Sequence, residues 1–159
     1  MLKSLDGKKT LVFVSSPLSK ITDQVLNLKI QEVLEKEGFT CILPQIVLPP
    51  NSKIASRKIF NVNVALIKRC DVVLAILDQP GEGVLFELGV ADALGKQILV
   101  LRGKKHRYLG KVVEGFLSTL PKSSKASSLD ELRVKIRRFR KEVNEQFNRR
   151  TNNAKQNNS

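Results

Sequence analysis

Compact apolar runs alternate along this chain with longer stretches in which apolar residues return every three or four positions. The first run, TLVFV at 10–14, is β-branched and apolar, which predicts a buried strand after a short polar lead over 1–9. The turn cluster SSPLS (15–19) closes it. Across 20–37, Leu26, Ile30, Val33 and Leu34 share one side while most charges, and Leu28, fall elsewhere. That spacing predicts an amphipathic helix, stopped by Gly38. FTCIL (39–43) predicts a second strand, closed by Pro44 and followed by a Pro- and Asn-rich loop over 44–52. A second helix is predicted over 53–69, packed through Ala55, Ile59, Val62 and Leu66. DVVLAIL (71–77) is apolar at every position after Asp71, the mark of a parallel strand covered on both faces. DQPGEG (78–83) reads as a loop, 84–94 as a helix capped by Gly95, and QILVL (97–101) as a fourth strand. A basic turn, RGKKHR, then leads to a short helix over 109–119. Ser128 and Glu131 have the spacing of a capping box. They open a long helix with Leu129, Leu132, Ile136, Phe139, Val143 and Phe147 on one face.

Strands alternating with helices predict an α/β fold, a doubly wound parallel sheet of four to five strands with a long C-terminal helix. The best order is flavodoxin-like, 2-1-3-4, with its switch point between strands one and three. Ligands of such sheets bind outside the carboxyl ends of the strands at that point. Those ends here are SSPLS, with Ser15, Ser16 and Pro17, and DQPGEG, with Asp78, Gly81 and Gly83. The second loop leads into GVLFELG, where Glu87 stands alone in an apolar run. About one turn into a helix, an ionised carboxylate is favoured by the helix N-terminus. Gly81, Gly83 and Gly89 leave room for a ligand to approach. Two readings fit Glu87 at this stage: a ligand-facing carboxylate, or a solvated glutamate of a first helical turn. The predicted organisation is one α/β domain over 1–120, a linker over 121–127, a basic helix of the same domain over 128–150 and a disordered polar tail over 151–159.

Composition adds a charge asymmetry. The 159 residues carry a formal net charge of +13, and residues 122–159 hold 11 Lys/Arg against 4 Asp/Glu. Such a segment suits weak nucleic-acid contact, or simply a solubilising helix; no interleaved aromatics are present to stack on bases. No apolar run is long enough to span a membrane, and the N-terminus lacks the features of a secretory signal. Cys41 and Cys70 lie in or beside apolar segments without metal-ligand spacing, so a cytoplasmic protein with reduced, structural thiols is expected. His106 has no partner motif and reads as part of the solvated basic turn. The G-x-G-x-x-G, G-x-x-x-x-G-K-[ST] and G-x-S-x-G patterns are all missing. The reading calls for no cofactor and no metal.

The stretch CDVVLAILDQPGEGVLFELGVADALGKQILVLR (70–102) resembles the nucleoside 2-deoxyribosyltransferase superfamily, including its deoxynucleoside 5′-monophosphate N-hydrolase branch. The resemblance rests on FELG followed by ALGK, after a strand and a Gly-rich loop. It implies that Glu87 is the nucleophile, attacking the anomeric carbon of a 2′-deoxynucleoside and forming a deoxyribosyl ester. Water or a second nucleobase would then take the sugar. Chemically the residue type fits: a carboxylate stabilises an oxocarbenium-like centre and can trap it covalently. The family's usual Asp on the preceding helix is here Asn63. Val12 and Ser15 stand where many members carry Tyr and Gly, and Gly81 and Gly110 where the phosphate-accepting branch carries serines. The implied site is therefore Glu87, Asp78 and Asn63 for catalysis, with Ser15, Ser16, Pro17, Gly81 and Gly83 around the substrate. Asp92 lies on another side of the helix and is set aside. The resemblance also implies a homodimer or higher homo-oligomer. A protein that keeps the pocket but binds rather than turns over nucleotides is the alternative that Asn63 raises.

Overall fold

Every side chain of the central strand over 72–76 is buried, because helices pack on both faces of one parallel sheet. The computed structural model describes residues 10–50, 53–104 and 106–156, with side chains described through residue 142 and at 145. In β1 (Leu11–Ser15), Val12 and Val14 point to one face, where Ile30, Leu34, Leu74, Leu99 and Ile136 pack. Phe13 points to the other, among Ile67, Val73, Leu88 and Leu117. The period-two alternation of a strand thus divides one apolar run between two cores.

Along the chain, β1 is followed by α1 (Ile21–Lys36), β2 (Thr40–Ile42), α2 (Pro44–Val47), α3 (Ser56–Arg69), β3 (Val72–Ile76), α4 (Glu82–Ala93), β4 (Gln97–Leu101), α5 (Lys111–Thr119), β5 (Lys125–Ala126) and α6 (Leu129–Gln156). The strands are ordered β2-β1-β3-β4-β5, all neighbours parallel. This is the expected order with one strand added at the edge. The two predicted glycine stops are both present. Gly38 and Gly95 take φ of 88° and 64°, and the amides of Phe39 and Lys96 reach back to the carbonyls of Leu34 and Ala91 at 3.1 and 2.9 Å. These bonds satisfy carbonyls that a helix end leaves open, in a conformation glycine adopts without strain.

Four local expectations change. The loop over 44–52 contains α2, which Pro44 starts; proline lacks the N–H that a first helical turn has no use for. The packed side of α3 is not Ala55-Ile59-Val62-Leu66: Ala55 and Ile59 are exposed, Leu66 packs only in part, and the inward positions are Asn63 and Ile67. A polar residue at the inward position hid that stripe from a count of apolar spacing. Residues 122–126, expected in a linker, form a 3-10 turn (Lys122–Ser124) and β5, with Ser124 and Ala126 buried. The expected tail is helical through Gln156, since its polar residues can continue a backbone ladder without a core to face; 157–159, and the lead over 1–9, lie outside the described residues.

In α6, Leu132, Ile136 and Phe139 are buried as expected, and the side chains of Val143 and Phe147 lie outside the described set. The Ser128 hydroxyl accepts from the Glu131 amide at 3.1 Å. Glu131 in turn reaches one residue further than a capping box requires, to the Ser127 amide and hydroxyl at 2.7 and 2.5 Å. Part of the basic face serves the fold. Arg137 pairs with Glu37 at 2.7 Å, and Arg140 donates to the Glu37 carbonyl at 2.6 Å, at the open end of α1. No helix among the described residues is long and apolar enough to cross a membrane.

Candidate active site

The switch point between β1 and β3 is built from the last residues of both strands, where Ser15 is in register with Ala75. Ser15 ends β1 fully buried. β3 leaves through the loop that reaches Gly81, the N-cap of α4. In α4 the buried residues are Val84, Leu88 and Ala91. Glu87 falls inside that stripe, three residues after Val84 and four before Ala91, so helical geometry carries its carboxylate inward. Glu87 is thus half-buried on the inner face of α4 and not a solvated first-turn residue.

Two donors meet it there. The Ser15 hydroxyl donates to Glu87 Oε2 at 2.5 Å, and Asn63 Nδ2 donates to Oε1 at 2.8 Å. Burial pushes the Glu87 carboxyl above the ordinary carboxylate value, and the bonds from Ser15 and Asn63 pull against that shift. Asn63 Oδ1 is buried and has no hydrogen-bond partner among the described residues. The three side chains come from β1, α3 and α4, separated by 72 and 24 positions from Glu87. A carboxylate held by two neutral donors keeps lone pairs free, since an ionised carboxylate offers roughly four acceptor sites.

The other expected residues take different places. Asp78 does not join the cluster; its Oδ1 accepts from the Gly103 amide across the loop after β4. Ser16 sits beside Ser15 with its hydroxyl turned to the Pro17 carbonyl at 3.3 Å. Gly81 and Gly83 are exposed, with open space where a side chain would stand. Lys96 of the ALGK stretch caps α3, donating to the carbonyls of Lys68 and Cys70 at 2.8 and 2.7 Å. Nothing in its spacing announced that role. Cys41 and Cys70 are free, and burial pushes their thiols up to about 12 and about 11, so neither offers a thiolate nucleophile near neutral pH.

Comparison with known proteins places this architecture. No curated protein sequence matches the chain. Among solved structures, a conserved protein from Enterococcus faecalis V583 aligns with TM-score 0.65 at 22% identity, over 82% of this chain and 99% of that one. A CMP N-glycosidase of Clostridium botulinum aligns with TM-score 0.57 at 18% identity, over 80% and 98%. A 2-deoxyribosyltransferase of Bacillus psychrosaccharolyticus aligns with TM-score 0.55 at 20% identity, over 65% and 79%. At these identities the likeness is one of fold. The sequence profile described as nucleoside 2-deoxyribosyltransferase, however, matches residues 12–154, nearly the whole chain. This chain therefore belongs to the nucleoside 2-deoxyribosyltransferase family.

Proposed function

We propose that Glu87 is the nucleophile of an enzyme that cleaves or exchanges the N-glycosidic bond of 2′-deoxynucleosides. By family, this is an enzyme of the deoxyribosyltransferase or N-glycosidase type. One observation carries the finer reading: a carboxylate sunk in an apolar helix face, aligned by Ser15 and Asn63 at the switch point. In the first step a Glu87 oxygen bonds to C1′ and the C1′–N bond breaks, its electron pair leaving with the base. The base takes its proton from solvent, because the Asn63 amide has none to give. In the second step water, or the nitrogen of another base, attacks C1′ and frees Glu87. Ser15 and Asn63 fix the rotamer of Glu87, and the spare Asn63 Oδ1 accepts from a sugar hydroxyl or an N–H of the base. Ser16, Pro17, Gly81 and Gly83 border the sugar. Action on deoxynucleoside 5′-monophosphates is the alternative substrate choice. Incubation with deoxynucleosides and a free base, followed by intact-mass and peptide analysis, tests the reading. Base release or exchange with a deoxyribosyl adduct on Glu87 is expected; an adduct elsewhere, or none with any common deoxynucleoside or its 5′-monophosphate, defeats it.

A second reading, nucleotide binding with weak turnover, is favoured by Asn63 itself and by the engagement of Asp78 with Gly103. Asn63→Asp separates the two. The new carboxyl would sit 2.8 Å from Glu87, so the pair would share a proton and supply the missing acid. A gain in kcat of about 10²-fold, with a fall in activity on the alkaline side appearing in the pH profile, is expected if proton delivery is what the wild type lacks. An unchanged kcat would show that leaving-group protonation does not limit the enzyme.

We also propose self-association through α3 and α4. Phe60 and Phe86 are 51% and 50% exposed and stack with centroids 5.6 Å apart. The pair continues the outer side of the helix that carries Glu87, and a second copy would remove it from water. Light scattering is expected to give a dimer or larger species, and Phe86→Ser to shift it toward monomer. A monomeric wild type would refute this.

A further inference from the structure

The outer edge of the sheet holds a cavity that the Glu87 chemistry does not use. β5 is only two residues long, so α5 and α6, on opposite faces, are left unbridged beyond it. A cavity of about 510 Å³ opens there, walled by Arg102, Lys104, His106, Glu114, Lys125 and Lys135. Its size lies within the range of about 300–1,000 Å³ usual for small-molecule sites. An open hollow sharing Lys104, Ser127 and Glu131 extends it toward Asp78 and Gly103.

The lining has more positive than negative charge. Glu114 is held at about 2 by Arg102 and the Leu109 amide, and Glu131 at about 2 by Lys135 and Ser127, so both are ionised at neutral pH. They balance Arg102, at 3.0 and 2.7 Å, and Lys135, at 2.5 Å. Lys104 and Lys125 remain in excess. Lys104 has no hydrogen bond or ion pair among the described residues, and Lys125 Nζ gives one hydrogen bond, to the Leu117 carbonyl at 2.7 Å. Arg102 is 11% exposed, and its Nε is a buried donor with no partner among the described residues.

We infer that this cavity binds a phosphate monoester with a hydroxylated body, at a site separate from Glu87. A phosphate monoester carries close to two negative charges at neutral pH and three strong acceptor oxygens. Those match the two surplus lysines, Lys104 and Lys125. A single carboxylate would leave one lysine uncompensated. Glu114, Glu131 and Ser118 then face the ligand's hydroxyls, which donate to them. The bond from Gly103 to Asp78 ties the rim of this cavity to the loop that leads into α4.

Amide shifts of the isotope-labelled full chain, titrated at constant ionic strength with ribose 5-phosphate, inorganic phosphate or ribose, test the assignment. Ribose 5-phosphate is expected to give saturable one-to-one shifts at Arg102, Gly103 and Ser127. Its affinity should exceed those of phosphate and of ribose by about tenfold or more. Lys104→Ala and Lys125→Met should each weaken it about tenfold, Lys104→Ala with Tm and the remaining spectrum unchanged. Three outcomes would overturn the site: no saturable shifts at these amides at millimolar ligand, equal binding of ribose, or affinity indifferent to both substitutions. Shifts confined to the Glu87 crevice, or to the exposed face of α6 and erased by salt, would do the same.

Discussion

Glu87→Gln is expected to lower turnover by about 10³-fold or more while leaving the fold intact. The amide has nearly the shape of the carboxylate. Its oxygen can still accept from Asn63, and its N–H₂ can donate to Ser15, whose hydroxyl rotates to accept. What is lost is the anionic oxygen that bonds to C1′. The same variant has a second signature, in stability. Burial raises the Glu87 carboxyl above 4.5 in the folded chain. Between that ordinary value and the raised one, the unfolded chain holds fewer protons than the folded chain, so stability falls as pH rises through the interval. Glu87→Gln removes the ionisation and is expected to melt higher than wild type at neutral pH, with the gap closing as pH falls below about 4.5. A gain in stability with loss of function is the usual mark of a strained functional group. The wild type's kcat should conversely rise with pH as the nucleophile ionises. Retained turnover in Glu87→Gln would remove the nucleophile from Glu87. A variant that melts lower at neutral pH would show that its hydrogen bonds outweigh its burial. Both are read from one preparation, by kinetics and by a pH series of melting curves.

Phe13→Ala is the substitution expected to cost most stability. Phe13 is fully buried in a central strand, in register with Val73 on one side and Ile42 on the other. It fills the face shared by α3 and α4, which bring Asn63 and Glu87 together. Removing a buried phenyl ring costs about 3–5 kcal/mol in lost transfer energy and cavity. Against a total of about 5–15 kcal/mol that is a large share. For a chain of this size it should lower Tm by roughly 6–20 °C. Leu28→Ala is the control: Leu28 is 50% exposed on α1 and should change stability by about 0.5 kcal/mol or less. Urea denaturation of both variants decides the point. A Phe13→Ala loss no larger than that of the control would mean this core relaxes around the void.

How much of this could be read beforehand differs between fold and site. The strand runs were legible because each is short, apolar and β-rich, and only a sheet covered on both faces buries all of β3, from Val72 to Ile76. Gly38 and Gly95 were legible as stops because a positive φ selects glycine. β5 was not legible. Lys125–Ala126 has no strand pattern and is held by pairing with Val100 and Leu101. α3 was misread for a related reason. Apolar spacing finds the inner face of a helix only when that face is apolar, and Asn63 occupies an inner position.

For the candidate site the division is sharper. The sequence by itself determined that a carboxylate stands in an apolar helix just beyond the central strand, beside two loops at a switch point. Period, glycine chemistry and right-handed connection are local or topological rules, and they were enough for that. Only the tertiary structure decided which side chains meet. It turned α3 so that Asn63 reaches Glu87, closed Ser15 onto the other carboxylate oxygen, and tied Asp78 to Gly103 across 25 positions. It also drew Arg137 and Arg140 back to Glu37 across 100 and 103 positions. Such contacts depend on the rotation of packed helices and the register of strands. Those are settled by how whole cores fill space, and no window of neighbouring residues contains that information.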